Sequence, residues 1–332
     1  SGRRTEAVST LNEAVRLNPA ASEAYAFLGM ALSETGQLDP ARRHLQRAIS
    51  VNPKLQSPYF DLGVVFLRMG QLDAGLGQLE AGLNLASPAG PNPDLDSAIS
   101  ALQRALSQER DHPEAYNVLG RLLGRAGADA KKVVSAFRDA IRLRPNFAEA
   151  HNNLGLLLTQ TGETENAILA FREAIKYRPD YAEAHGNLGT ALVTSGQEEA
   201  IRELEKAISL QPDLVRAHYN LALAYNLKYG SEREIEQLRR VIALDPTFAL
   251  AYLSLGKSLM RKGEIQEAVS HLQKAVDLDP QLGEARYQLG LALVRTGQQR
   301  VGAAELQKGR QAIAEDQASQ TASLIMGEAK LQ

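Results

Sequence analysis

The strongest constraint on this 332-residue chain is a repeat. Residues Asn146–Pro179, NFAEAHNNLGLLLTQTGETENAILAFREAIKYRP, recur downstream as DYAEAHGNLGTALVTSGQEEAIRELEKAISLQP and in two further copies. The prolines that close these copies stand at 145, 179, 212, 246 and 280, in steps of 34, 33, 34 and 34. A period in this range signals stacked supersecondary units, because a single unit of that length cannot bury its apolar face alone. Length alone would otherwise suggest two globular domains. Within each unit the apolar residues fall at helical spacing in two stretches, so two helices per unit are expected.

Composition supports helices over strands. Apolar residues make up 44% and aromatics only 5%, with no Trp, so Leu and Ala do the packing; both favour helices. The 37 basic and 39 acidic residues alternate, for a net charge of −2, with no run longer than doublets such as Lys131-Lys132. A bulk nucleic-acid or membrane-surface role therefore has no electrostatic support. With no Cys, disulfides, thiolate chemistry and Cys-based metal sites are excluded. No apolar run approaches the ~18 residues of a membrane span. The chain begins at Ser1 rather than Met, on the second half of a unit; the expectation is that upstream residues, including any signal or anchor, are missing. A cytoplasmic and a periplasmic location both remain open.

In order, the units expected are a half unit at 1–19, then 20–53, 54–87, 111–145, 146–179, 180–212, 213–246, 247–280 and 281–315, forming one array. The segment 316–332 is more polar and reads as a cap or tail. The period breaks at 88–110, which holds the breaker cluster PAGPNP (Pro88–Pro93) and a helical stretch. Either 72–86 and 95–109 are both helices, one of them an extra unpaired helix, or the glycine-loaded first stretch is irregular. Correctly spaced Leu72, Leu79 and Leu83 favour the former.

Two glycine classes recur. Gly29, Gly63, Gly120, Gly155, Gly189, Gly256 and Gly290 fall within a helix, where glycine is costly unless a neighbour crosses closely. Gly36, Gly70, Gly127, Gly162, Gly196, Gly263 and Gly297 fall at a helix end and read as C-caps needing positive φ. His151, His185 and His218 look like a metal ladder, yet Tyr25, Tyr59, Tyr116 and Tyr252 hold the same slot, and repeat spacing of roughly 10 Å cannot meet at one ion. They read as packing residues. No zinc-protease, nucleophile-elbow, phosphate-loop or calcium-loop motif is present, and no cofactor is expected.

The Leu-Gly pair preceded by an aromatic or imidazole, the Ala opening the second apolar stretch and the closing Pro resemble the tetratricopeptide repeat over nearly the whole chain. The resemblance implies an all-α, right-handed α-α superhelix whose first helices line a concave, partner-binding wall. Carried onto this sequence, the wall holds Asn153, Asn187 and Asn220 at one equivalent position, with Asn152 beside the first; such a ladder can grip a peptide backbone. It resembles the asparagine ladder of the O-linked N-acetylglucosamine transferases. Arg121 and Arg125, with Arg68, form one basic patch. Lys257, Arg261 and Arg295 form another beside Tyr287, and Tyr219 and Leu223 lie between. The expected role is a non-enzymatic scaffold for another protein or peptide, acidic or amphipathic in character. Alternatives are the recognition arm of a larger enzyme such as a glycosyltransferase, and a subunit of a membrane-associated complex working through convex or edge surfaces. End-to-end self-association is also open.

Overall fold

The computed structural model describes residues 2–85, 93–229 and 231–328. Every regular element among them is a helix, and the chain divides into two compact units, residues 1–177 and 178–332. The first unit contains α1 (Gly2–Leu17), α2 (Ser22–Glu34), α3 (Leu38–Val51), α4 (Ser57–Arg68), α5 (Leu72–Leu83), α6 (Leu95–Gln108), α7 (Pro113–Arg125), α8 (Ala130–Leu143), α9 (Ala148–Gln160) and α10 (Thr164–Tyr177). The second contains α11 (Ala182–Leu192), α12 (Gln197–Leu210), α13 (Val215–Tyr229), α14 (Ser231–Leu244), α15 (Ala249–Lys262), α16 (Ile265–Leu278), α17 (Gly283–Arg295) and α18 (Gln299–Glu328). The helices pack as hairpins: α2 with α3, α4 with α5, α7 with α8 and α9 with α10 in the first unit. In the second, α11 pairs with α12, α13 with α14, α15 with α16 and α17 with α18.

The mid-helix glycines are notches. A Cβ on Gly155 would lie 2.5 Å from Cε1 of Phe171, and one on Gly29 would lie 2.5 Å from Cγ of Leu45. The same insertion of a second-helix Leu or Phe recurs at Gly63, Gly120, Gly189, Gly256 and Gly290. The alanines that open the second helices, Ala41, Ala167, Ala200 and Ala268, are fully buried. Each hairpin thus crosses at small residues, which brings its two backbones close enough for large side chains to interlock.

Six turn glycines take the left-handed conformation, with φ from +70° at Gly127 to +89° at Gly263. Gly196 departs from the expectation. Its φ is −151° and it precedes α12 as the N-cap. The cause is the one-residue deletion that shortens this repeat from 34 to 33: Ala167 follows Gly162 by five residues, whereas Ala200 follows Gly196 by four. Gly196 must therefore occupy the place that Gln37 holds before α3, and α11 ends early, at Leu192.

In the irregular region both stretches are helical, as α5 and α6. Two of the three glycines of α5 lie tight on α4, and the third, Gly77, faces open space. A Cβ on Gly75 would sit 2.8 Å from Leu67, and one on Gly82 would sit 2.7 Å from Phe60. The additional helix α6 is not without neighbours: it packs on α4 and α7, burying Ala98, Ala101, Leu102 and Leu106. Asp94 caps it by accepting a hydrogen bond from the Ser97 amide. Most of the PAGPNP cluster, with Ser87, lies outside the described residues.

The last helix, α18, is a single 30-residue element that runs through both the expected second helix and the expected cap or tail. Its pairing with α17 is close. A Cβ on Gly309 would lie 2.5 Å from the Tyr287 amide nitrogen, and one on Gly290 would lie 2.7 Å from the Leu306 amide nitrogen. Backbone meets backbone here, where other hairpins place a side chain.

Candidate partner-binding site

Counted from the notch glycine (Ala222 in α13), two positions are equivalent across the first helices. The position two before it holds Phe27, Asp61, Val118, Asn153, Asn187, Asn220, Ser254 and Gln288. The position one after it holds Met30, Val64, Arg121, Leu156, Thr190, Leu223, Lys257 and Leu291, none of which is fully buried. In the first unit Phe27 is 42% exposed, Leu156 39% and Met30 37%. Helical periodicity alone did not single out Phe27, Met30 and Val64. The signal that finds them is the equivalence of position across repeats.

The asparagines separate. Asn152 is buried, with 4% of its surface exposed. It is corrected as a partner-binding residue: one residue along a helix turns the side chain by about 100°, and this turn carries Asn152 inward while Asn153 stays at the surface. Half-buried Asn153 donates from Nδ2 to Asn117 Oδ1 on α7 at 3.0 Å. Asn220 donates from Nδ2 to Thr190 Oγ1 on α11 at 2.7 Å, and that hydroxyl donates to the Gly186 carbonyl at 2.7 Å. Asn187 is half-buried at the equivalent position of α11. The amides of Asn153 and Asn220 are each tethered to the preceding first helix through the NH₂ group, leaving carbonyl lone pairs for a further donor.

The cations are also engaged across repeats. Arg121 donates to Asn84 Oδ1 at 2.6 Å, and Arg125 donates to Gln56 Oε1 at 3.0 Å. Arg68 donates to the Ser33 carbonyl at 2.6 Å. Lys257 faces Glu284 at 3.2 Å. Arg261 faces Glu234 at 2.7 Å, and that glutamate is 3% exposed and also accepts from Asn226. Arg295 reaches the Met260 carbonyl at 3.5 Å. The C-terminal basic patch is thus largely neutralised from within. Tyr219 is half-buried, edge-on to Phe248 with ring centroids 5.1 Å apart. Tyr287 is half-buried beneath the Arg310 guanidinium, and Leu223 is half-buried on α13.

The histidines work as staples. Nε2–H of His151, His185 and His218 donates to the carbonyl of Pro145, Pro179 and Pro212 at 2.9, 3.0 and 3.1 Å. The same bond comes from the Tyr59 hydroxyl to Pro53 and from Arg286 Nε to Pro280. On its other nitrogen His185 faces Glu203 and His218 faces Gln237. Among the described residues no three His, Asp or Glu side chains are grouped to hold a metal ion, and no helix is long and apolar enough to cross a membrane.

Models of known families match this chain. One described as TPR repeat matches residues 157–196, 197–228 and 256–297. Two described as tetratricopeptide repeat match 1–62 and 134–176. No curated protein sequence matches. Among solved structures, the crystal structure of MamA is 28% identical, covering 49% of this chain and 95% of its own, with a TM-score of 0.45. A MamA fragment from Desulfovibrio magneticus RS-1 is 25% identical over 51% of this chain and 95% of its own, with a TM-score of 0.46. The crystal structure of YrrB, described as a TPR protein with an unusual peptide-binding site, is 20% identical over 56% of this chain and 96% of its own, with a TM-score of 0.48. The matched segments run across the helices that carry the notch positions and the closing prolines, and the chain carries tetratricopeptide repeats.

Proposed function

We propose that this chain is a non-catalytic scaffold that holds a peptide segment or partner protein on the outward faces of its first helices. One observation carries the reading. The position after the notch glycine is exposed or half-buried, never fully buried, in all eight repeats, yet it is apolar in five of them: Met30 and Leu156, which are exposed, and Val64, Leu223 and Leu291, which are half-buried. Apolar side chains recurring at a position that stays at least partly in water mark a surface used for binding. Beside them Asn153 in the first unit, and Asn187 and Asn220 in the second, offer amide groups suited to a peptide backbone.

The partner that fits presents apolar side chains at intervals along a segment with free backbone groups. An acidic partner gains less from Lys257 and Arg261, which already face Glu284 and Glu234. Site-specific photocrosslinking in the native host tests the reading, with p-benzoylphenylalanine placed at Leu156, at Leu223 or at Leu169, an exposed residue of the second helix α10. Crosslinks to one partner from positions 156 and 223 and none from 169 are expected. Equal capture from 169 would overturn the assignment. So would unchanged partner affinity in an Asn153→Ala, Asn187→Ala, Asn220→Ala variant of intact helicity.

A further inference from the structure

The inserted helix α6 lines a cavity. It lies between the α4–α5 turn and the C-terminal half of α6 and has a volume of about 330 Å³. Leu67, Leu72, Ala101 and Ala105 supply apolar lining, and Arg68 and Arg104 supply two guanidinium side chains. Arg68 is held in place: Nη1 donates to the Ser33 carbonyl at 2.6 Å and to its hydroxyl at 3.0 Å. Arg104 makes a single local bond, from Nε to the Ser100 carbonyl at 3.3 Å. A guanidinium has five N–H donors, so most of this capacity is unspent. Unlike Lys257 and Arg261, neither arginine forms an ion pair with a carboxylate among the described residues.

We propose that this cavity is a second binding site, one that takes a carboxylate carried beside an aliphatic side chain on a peptide. Two guanidiniums that form no ion pair among the described residues, set against the single carboxylate of Glu109, leave the lining net positive and select an anion, by charge-assisted hydrogen bonds in fork geometry. The four apolar residues favour a ligand with an aliphatic branch over a small inorganic ion. Glu109 also lines the cavity, and its charge repels a phosphate dianion more than it repels a single carboxylate. The carboxylate has two possible sources, an internal glutamate or a free chain terminus, and both place it next to an aliphatic side chain.

The test is a methyl-NMR titration of the whole chain with three probes: acetyl-Gly-Leu-Glu-Gly-amide, acetyl-Gly-Gly-Leu with a free carboxylate, and acetyl-Gly-Leu-Gln-Gly-amide. At least one carboxylate peptide is expected to shift the methyls of Leu67 and Leu72 saturably, and which one does so assigns the source. The glutamine peptide is expected to leave them unmoved. Arg104→Gln, at an exposed position, is expected to weaken binding about tenfold; Ala105→Met, which occupies the cavity, is expected to abolish it. No shift from either carboxylate peptide at about 5 mM, equal shifts from the glutamine peptide, or unchanged affinity in Arg104→Gln would each overturn the proposal. The site uses none of the positions around the notch glycines, so its failure would leave the scaffold reading standing.

Discussion

Replacing Asp61 with Asn is the most informative single change. Asp61 occupies on α4 the position that Asn153, Asn187 and Asn220 occupy elsewhere, so the substitution installs the residue that three sister repeats already use. Its carboxyl is pushed up to about 7, first by burial and then by the nearby charge of Asp94. Asp94 is held there by its capping bonds to the Ser97 amide at 3.0 Å and hydroxyl at 2.7 Å. In the unfolded chain an aspartate titrates near 3.9. Between those values the folded state binds the extra proton, so stability falls as pH rises from about 4 to about 7, and the full penalty persists above. The difference corresponds to a ceiling of ~4 kcal/mol, lowered by whatever water reaches the half-buried carboxyl. Asn cannot ionise, so Asp61→Asn is expected to match the parent near pH 4 and to exceed it by up to that amount at pH 8. Stacked repeats need not unfold in one step, so the readout is amide hydrogen exchange of α4, variant against parent at each pH, with urea unfolding alongside. An equal difference at pH 4 and pH 8 would refute the argument, because it would locate the effect in packing and not in ionisation.

Three further changes probe the packing. Gly309→Ala drives a Cβ to 2.5 Å from the Tyr287 backbone. Despite better helix propensity it is expected to cost about 1–3 kcal/mol, seen as a lowered thermal midpoint and loosened α17 amides. Gly36→Ala, at φ +81°, is expected to cost about 1 kcal/mol in urea unfolding, whereas Gly196→Ala, at φ −151°, should cost less; equal losses would contradict the reading of the 33-residue repeat. Glu234→Ala strips the buried partner of Arg261 and Asn226. It is expected to cost about 1–2 kcal/mol, because the half-exposed Arg261 is re-solvated by water, with exchange rising at the start of α14.

The hairpins were legible in the sequence because their determinants are local. A notch glycine, the alanine of the facing helix and a closing proline recur at nearly constant intervals, and the packing they imply needs no long-range information. His151, His185 and His218 were legible as scaffold for the same reason. The cations were not. Arg125 bonds Gln56, 69 residues away, and Lys257 and Arg261 each find their carboxylate 27 residues away. A position-by-position reading sees charges on a face but not whether the neighbouring repeat has already answered them. Asn152 was misjudged for a geometric reason: adjacent residues of a helix face different ways, and polarity alone does not say which of two asparagines points out. The region around α6 resisted because an insertion has no sister copies to set its register, and the apolar fit of α6 against α4 and α7 emerges only in three dimensions.

The bond from a first-helix side chain to the preceding proline carbonyl has a consequence for how such a chain can change. In all five cases donor and acceptor are six residues apart, so the fastening belongs to the junction between units and is encoded entirely within it. Tyrosine, histidine and arginine all serve, since only a donor of sufficient reach is required. Excising the whole stretch from Asn146 to Pro179, or copying it in tandem, would rejoin a proline to a donor at the same six-residue interval. The junction would be restored with no compensating substitution elsewhere, making array length something that recombination, or a protein engineer, can vary freely.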